Sequence, residues 1–159
     1  MYKLKKTSIL LFVLLVISCG KKPIVQELRT NNDDLWWQDS VLSADISISD
    51  TSAIYRVSLR IRHTTNYPYS NLYLFRDVLS ETQTEYQDTI EITLNNSEGV
   101  WLGKGVGALK TINLPYHKNG VKFPRPGDYR FRFYHGMRDE PLRGIKDLAL
   151  IISSEKNNY

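Results

Sequence analysis

The chain has 159 residues, of which 42% are hydrophobic and 24% are charged, and it contains a single cysteine. This length suits one ordinary domain with a substantial core, and one cysteine excludes a disulfide scaffold. Three lysines at the N-terminus supply most of the formal net charge of +4, and the charge of about +1 on the rest of the chain lacks the basic excess typical of phosphate-binding domains, so we expect no nucleic-acid partner.

Residues 1–18 have the layout of a secretory signal peptide. Three lysines between positions 3 and 6 precede the apolar run Ile9–Ile17, which is far shorter than the ~20 residues of a membrane-spanning helix. The run ends in Val16-Ile17-Ser18-Cys19, an order typical of a bacterial lipobox. We therefore predict lipidation of Cys19, with a covalent diacylglycerol and an N-acyl lipid. The alternative is an ordinary cleaved signal beside an incidental cysteine.

Lipidation determines what the mature chain can do. Each buried methylene contributes about 0.8 kcal/mol, so two or three acyl chains fix a protein to a membrane essentially permanently. The thiol is consumed, which leaves no disulfide, metal thiolate or cysteine nucleophile. Cleavage removes three of the 21 basic residues and none of the 17 acidic ones, so the mature charge is about +1.

The mature chain divides into a tether and a domain. Residues 19–35 contain few large apolar groups, so we predict a lipidated N-terminus followed by a flexible tether. From Trp36 onward apolar and polar residues alternate in short runs, and residues 36–159 are predicted to form one domain.

The alternation predicts β-strands, and the clearest lies between Ala53 and His63. A period of two places Tyr55, Val57, Leu59 and Ile61 on the core side of this strand and its arginines on the other side. Further strands are predicted at Val41–Ser49, Asn71–Val78, Asp88–Leu94, Asp128–His135 and Lys146–Ser153. No helical period persists. We therefore predict an all-β fold, an antiparallel β-sandwich of immunoglobulin-like or jelly-roll-like type.

Turn residues separate these strands. Asn66–Asn71, Asn95–Gly99 and Pro124–Gly127 are rich in Asn, Gly, Pro and Ser, the residues that favour turns. Gly127-Asp128-Tyr129 at the start of a strand is typical of a tyrosine corner.

The sequence shows no recognisable catalytic or metal-binding motif. His63, His117 and His135 are widely separated, and packed histidines are favoured over metal ligands. No Gly-x-Ser-x-Gly motif occurs, and Gly103–Gly107 lacks the Lys-Ser/Thr ending of a phosphate loop. We expect no catalytic residue, no metal, no cofactor and no small-molecule substrate. A hydrolase would require two converging carboxylates or a histidine beside a nucleophile, which the sequence does not indicate.

Aromatic and arginine residues near strand ends indicate a recognition surface. We predict that Tyr67, Tyr69, Trp101 and Arg138 contribute to it, because Tyr, Trp and Arg dominate partner interfaces. The alternative is that the rings fill the ends of the sandwich and the arginine stems cover apolar surface.

The same segments resemble a known family, the gliding-motility lipoprotein GldH of Bacteroidota. The resemblance runs from Trp36 to Ile152, with His63 where the family pattern leads us to expect asparagine and Ala149 where we expect glycine. It is carried by the lipobox and by Tyr55–Arg62, Tyr67–Leu72, Asp88-Thr89, Gly99–Gly105, Phe123-Pro124, Gly127–Tyr129, Met137-Arg138, Leu142, Gly144-Ile145 and Asp147.

The resemblance implies a non-catalytic envelope lipoprotein. It implies membrane attachment through the lipid, action with other gliding motility proteins and the type IX secretion apparatus, and no catalytic residue to carry over. Gly20-Lys21-Lys22 lacks the acidic residues that surface-exported lipoproteins of this phylum tend to carry after the cysteine, so a periplasm-facing position is expected. The competing hypothesis is a carbohydrate-binding module at the surface or in the periplasm, because exposed aromatic pairs suit sugar stacking.

Overall fold

The computed structural model describes residues 23–30, 34–81 and 83–155, which form ten strands and no helix. Cys19 and the predicted signal peptide lie outside these residues. In the part of the chain that is described, no helix has the length and apolarity needed to cross a membrane. The strands are β1 (Ile24–Arg29), β2 (Leu35–Trp36), β3 (Leu42–Ile48), β4 (Ile54–Thr64), β5 (Asn71–Leu79), β6 (Thr84–Thr93), β7 (Leu109–Pro115), β8 (Gly127–His135), β9 (Leu142–Arg143) and β10 (Ile145–Glu155).

The strands form two four-stranded sheets and one short pair. The first sheet has the order β1-β10-β4-β7, the second has the order β3-β8-β5-β6, and β2 pairs with β9. Every pairing is antiparallel. The predicted antiparallel β-sandwich is confirmed.

Antiparallel strands place their connections at two ends of the sandwich. We call the end where β1 begins the proximal pole; it carries the β3–β4, β5–β6 and β7–β8 connections. The distal pole is the opposite end and carries the β4–β5, β6–β7 and β8–β9 connections. The 11 residues of β4 span about 35 Å at the usual rise per strand residue. The two poles are therefore separated by most of the length of the domain.

The core lies between the inner faces of the two sheets. Strand β4 alternates as predicted, with Tyr55, Val57, Leu59 and Ile61 buried. Leu59 and Ile61 have no exposed surface, and Phe133 of the facing sheet has none either. Because an 11-residue strand with this alternation can bury only one face, its register relative to β10 is strongly specified.

Ion pairs cover the outer face of the first sheet. The Arg62 guanidinium donates to both oxygens of Asp147, with Nε 2.8 and 3.0 Å away, and Asp147 is almost fully buried. This hydrogen bonding raises the pKa of Arg62. Arg60 donates to Glu27 at 2.5 Å. These contacts join β4 to β10 and β1, so the charged face holds neighbouring strands together.

A tyrosine corner begins β8. The Tyr129 hydroxyl donates to the backbone carbonyl of Arg125 at 2.7 Å, and the tyrosine ring is buried beside Phe123 with centroids 4.6 Å apart. This confirms the prediction from Gly127-Asp128-Tyr129. The contact fixes the path by which the chain enters β8.

The predicted tether of residues 19–35 is wrong where the structure describes it. Residues 24–29 form β1, which pairs with β10 along its whole length from Ile24 opposite Ile152 to Arg29 opposite Asp147. Leu28 is buried in the core, and the buried Thr30 hydroxyl donates to the carbonyl of Ile145 at 3.0 Å. The physical reason is that a strand partner supplies backbone hydrogen bonds that local composition does not reveal. The sandwich thus begins near residue 24 instead of residue 36.

Other boundaries also differ from the prediction. Strand β6 begins at Thr84, four residues before Asp88, and β7 was not predicted. Strand β7 is an edge strand whose residues are mostly half-buried. Such a strand shows weak alternation, because neither of its faces is fully covered.

Candidate functional site at the distal pole

The four predicted surface residues all lie at the distal pole. Tyr67 and Tyr69 are in the β4–β5 connection, Trp101 is in the β6–β7 connection, and Arg138 is in the β8–β9 connection. These segments are far apart in sequence, but the antiparallel order brings them to one end of the sandwich. The structure therefore places the residues together, although it does not place them all at the surface.

Tyr67 is buried, which corrects its assignment to the contact surface. Only 3% of the residue is exposed, and its hydroxyl donates to the backbone carbonyl of Asn71 at 2.8 Å. Burial raises the pKa of Tyr67. Gly144, at φ +87°, backs the residue so closely that an added Cβ would lie 2.8 Å from the Tyr67 Cα. Tyr67 therefore contributes to the packing inside the distal pole and not to its surface.

Trp101 is half-buried over a buried histidine. Its ring lies 4.7 Å from the His63 ring, which in turn lies 6.1 Å from that of Tyr67. His63 has no exposed surface, and its Nδ1 lies 3.0 Å from the carbonyl of Thr64. Burial lowers the pKa of His63, and the nearby Lys110 lowers it further. The expectation of a packed histidine at this position is confirmed, and Trp101 covers it.

Tyr69 and Arg138 line one shallow groove with residues that the sequence reasoning did not single out. The groove has a volume of about 320 Å³, and Tyr73, Gly136 and Met137 complete its lining. Hydrogen bonding to Asp139 raises the pKa of Tyr69. The groove thus presents two aromatic rings, one thioether and one guanidinium, a set typical of recognition surfaces.

The aromatic surface continues from this groove along β5. Tyr73 and Phe75 point away from the core with 38% and 47% of each residue exposed. The Phe75 ring passes over Gly136, where an added Cβ would lie 3.1 Å from it. Hydrogen bonding to Glu91 raises the pKa of Tyr73. We call Tyr69, Tyr73, Phe75 and Arg138 the distal aromatic surface; Met137, which is 7% exposed, contributes to the lining of the groove but belongs to the core.

The signal for Tyr73 and Phe75 was present in the sequence. The run Leu72-Tyr73-Leu74-Phe75 alternates aliphatic and aromatic residues, and the structure buries Leu72 and Leu74 completely. A period of two assigns the aromatic pair to the opposite face. Only the tertiary structure shows that this face is uncovered.

The remaining histidines show no catalytic arrangement. His135 is buried against Trp36, with ring centroids 5.3 Å apart, and its Nε2 lies 3.9 Å from Glu140. Burial lowers the pKa of His135. His117 is exposed at the proximal pole. Within the described residues, no three His, Cys, Asp or Glu side chains are arranged to hold a metal ion.

The glycine-rich segment Gly103–Gly107 is part of the β-structure. Lys104 exchanges both backbone hydrogen bonds with Thr111 of β7 at 2.8 Å. These backbone groups are therefore engaged by the sheet instead of facing an anion, in agreement with the rejection of a phosphate loop.

Nearly all of the described residues match one protein family. Residues 23–152 match the GldH lipoprotein family. The chain belongs to this family. The match begins at Pro23, so it includes β1, whereas the resemblance noted from the sequence began at Trp36.

Two GldH relatives align with almost all of the chain. The gliding motility lipoprotein GldH homolog of Christiangramia forsetii is 29% identical over 160 residues, covering 94% of this chain and 97% of its own length. The gliding motility lipoprotein GldH of Flavobacterium johnsoniae is 29% identical over 161 residues, covering 96% and 99%.

Similarity to solved structures is low. Dimeric latent PorU from Porphyromonas gingivalis matches 84% of this chain with a TM-score of 0.34 and 7% identity, and this chain covers 13% of that protein. The coat protein of Tobacco streak virus matches 90% of this chain and 92% of its own chain, with a TM-score of 0.30 and 6% identity. At these scores neither likeness supports an inference about GldH.

Proposed function

We propose that this GldH protein is a non-catalytic adaptor of the gliding motility and type IX secretion machinery, held on the periplasmic side of the envelope by lipid on Cys19. The observation that carries the proposal is the position of the distal aromatic surface. Tyr69 and Arg138 of this surface lie at the pole opposite the one where the chain enters the sandwich from Cys19, and Tyr73 and Phe75 extend it to the middle of β5. A domain anchored at one end presents its other end to neighbours.

The anchor rests on the lipobox and on the family. Val16-Ile17-Ser18-Cys19 supplies the acceptor cysteine, and both relatives carry the word lipoprotein in their names. Those names also connect the relatives with gliding motility, which supports the same process for this chain. Gly20-Lys21-Lys22 supports retention on the periplasmic side.

The distal aromatic surface suits a protein partner. Tyr73 and Phe75 are rigid rings on a strand, so burying them costs little conformational entropy compared with long flexible side chains. Arg138 beside them adds a charged hydrogen-bond donor. A lipid anchor confines the domain near membrane-bound partners and raises their effective concentration, so a modest interface is sufficient.

The test is co-purification from native membranes of a gliding relative's cells expressing this chain. We expect motility proteins to accompany the parent, and Tyr73→Ala with Phe75→Ala to lose them while the variant stays in the membrane fraction. Tyr86→Ala is the matched control, because Tyr86 is 40% exposed on the same sheet but lies near the proximal pole. Retention of the same proteins by the double variant would refute this surface as the contact.

A second candidate function is carbohydrate binding, favoured by the same exposed rings beside carboxylates. Asn71 donates to the Glu91 carboxylate at 2.7 Å, and the nearness of Glu91 raises the pKa of Tyr73. Aromatic faces flanked by fixed polar groups suit sugar rings. Calorimetric titration with polysaccharides distinguishes the two functions. Binding abolished by Phe75→Ala favours the module, and no binding together with recovered motility partners favours the adaptor.

A further inference from the structure

The β7–β8 connection at the proximal pole is basic. Residues 116–126 contain Lys118, Lys122 and Arg125 and no Asp or Glu. Both lysines are exposed, and neither ammonium group has a carboxylate partner among the described residues. Arg125 donates to Glu85 at 2.6 Å and remains half exposed. Two lysines at this pole thus retain uncompensated charge.

This connection is held firmly against the start of β4. Tyr55 and Val121 exchange backbone hydrogen bonds of 2.9 and 2.8 Å. Gly120, at φ +76°, packs so closely that an added Cβ would lie 2.6 Å from the Ile54 side chain. The Phe123 ring lies 5.3 Å from that of Tyr55. The lysines are therefore presented by an ordered segment of the domain.

The short link to Cys19 keeps this pole close to any lipid on that residue. Ile24 is the first residue of β1 and follows Cys19 by five positions, a span of at most about 18 Å. Strand β1 is separated from β4 by β10 alone, so the start of β4 lies only about 10 Å across the sheet. The distal pole, about 35 Å further along the strands, lies beyond the reach of this link.

Acidic residues also lie at this pole, but outside the β7–β8 connection, and one of them, Glu85, pairs with Arg125. The others are Asp50 in the β3–β4 connection, Glu81 in the β5–β6 connection, Asp128 as the second residue of β8 and Glu155 at the end of β10. Asp128 accepts a hydrogen bond from Ser47 on β3. The β7–β8 connection is thus the basic part of this pole. A negatively charged surface would attract one side of the pole more than the other.

We propose that Lys118 and Lys122 rest on the anionic phospholipid headgroups of the leaflet that holds the Cys19 acyl chains. The inference depends on the proposed lipidation and goes beyond it, because it fixes which end and which side of the domain face the lipid. A basic residue near an anionic leaflet favours the docked state about fivefold, and the attraction decays within a Debye length of about 8 Å. Two lysines therefore favour docking about 25-fold.

The orientation can be tested with spin labels on the acylated full-length protein in vesicles. Lipidation leaves no free thiol on Cys19, so Asn119→Cys labels the basic connection and Val106→Cys labels the distal pole, where Val106 is 99% exposed. In vesicles of phosphatidylcholine with phosphatidylglycerol, we expect the label at 119 to be shielded from a water-soluble nickel chelate and the label at 106 to be accessible.

Charge reversal then isolates the contribution of the lysines. Lys118→Glu with Lys122→Glu should return the label at 119 to the aqueous phase and lower the docked-to-undocked ratio by 25-fold or more. The matched control, Lys104→Glu with Arg143→Glu, makes the same change in net charge at the distal pole and should leave that ratio unchanged. Vesicles of phosphatidylcholine alone should also release the label.

The outcomes distinguish a failure of the proposed orientation from a failure of the proposed lipidation. If mass spectrometry finds no acyl chains and the protein does not float with vesicles, both the lipidation and the orientation are wrong. An acylated protein whose labels at 119 and 106 are equally accessible overturns the orientation alone. Equal effects of the two charge reversals overturn the role of the lysines.

Discussion

Replacing Leu28 by alanine determines whether the segment after Cys19 belongs to the folded domain. Leu28 lies opposite Leu148 in the β1–β10 pair and is 7% exposed. Truncation of a buried leucine to alanine costs about 2–5 kcal/mol, and the edge position of β1 favours the lower half, about 2–3 kcal/mol, because an edge site can relax. For a domain of this size each kcal/mol lowers the melting temperature by about 4 °C. We therefore expect a decrease of about 10 °C.

The measurement is urea and thermal unfolding of the mature chain carrying Cys19→Ala, followed by tryptophan fluorescence. Val25→Ala is the matched control on the same strand, because Val25 is 47% exposed and its truncation should cost less than about 0.5 kcal/mol. If Leu28→Ala unfolds at the same urea concentration as Val25→Ala, β1 does not pack on the domain and residues 19–35 are the tether that composition indicates.

Three further changes test the fold. Tyr129→Phe removes the hydrogen bond of the tyrosine corner and should cost about 1–2 kcal/mol in urea unfolding, without altering the far-ultraviolet spectrum. Arg62→Met leaves the buried Asp147 carboxylate without its partner and should cost about 3–5 kcal/mol, most of which the added change Asp147→Leu should restore. Burial lowers the pKa of His63 and His135, so the unfolded chain takes up protons near pH 6.5 before the folded chain does. Stability should therefore be full above about pH 7 and should fall on acidification through pH 6, with a smaller fall in His63→Asn; an unchanged pH dependence in that variant contradicts the reasoning.

The alternating strands were predictable because their signal is local. Strand β4 satisfies a period of two over its whole length, and Tyr129 follows the turn Pro124–Gly127 that prepares its corner. Strand β1 was missed because its stability comes from β10, more than 100 residues away in sequence. The composition of a short segment does not reveal such a distant partner. An edge strand also needs only one apolar face, so it can contain few large apolar residues.

The sequence predicted where the candidate site lies better than it predicted which residues form its surface. Tyr69, Trp101 and Arg138 lie at one end of the sandwich because three connections share the distal pole, a consequence of strand order that spacing alone does not give. Tyr67 was misassigned because a tyrosine beside a proline has the same local sequence whether its ring faces water or is buried, as it is here. Which face of β5 stays uncovered depends on the arrangement of both sheets, and so Phe75 was overlooked.

The short link between Cys19 and β1 limits the orientations that the domain can take on the proposed lipid anchor. A tether of about fifteen residues would let the domain turn freely, so any face could reach a partner. The four residues between Cys19 and a strand paired with β10 would instead restrict a lipidated domain, because strands are stiff and the proposed lipid stays in the bilayer. With the proposed lipid on Cys19, the proximal pole faces the lipid, and Tyr69 and Arg138 lie at the far end of the domain, about 35 Å away. In this proposed arrangement a partner approaches from the compartment on that side of the membrane, and the proposed contact is through Tyr73 and Phe75, not through the ion pairs on the outer face of the first sheet.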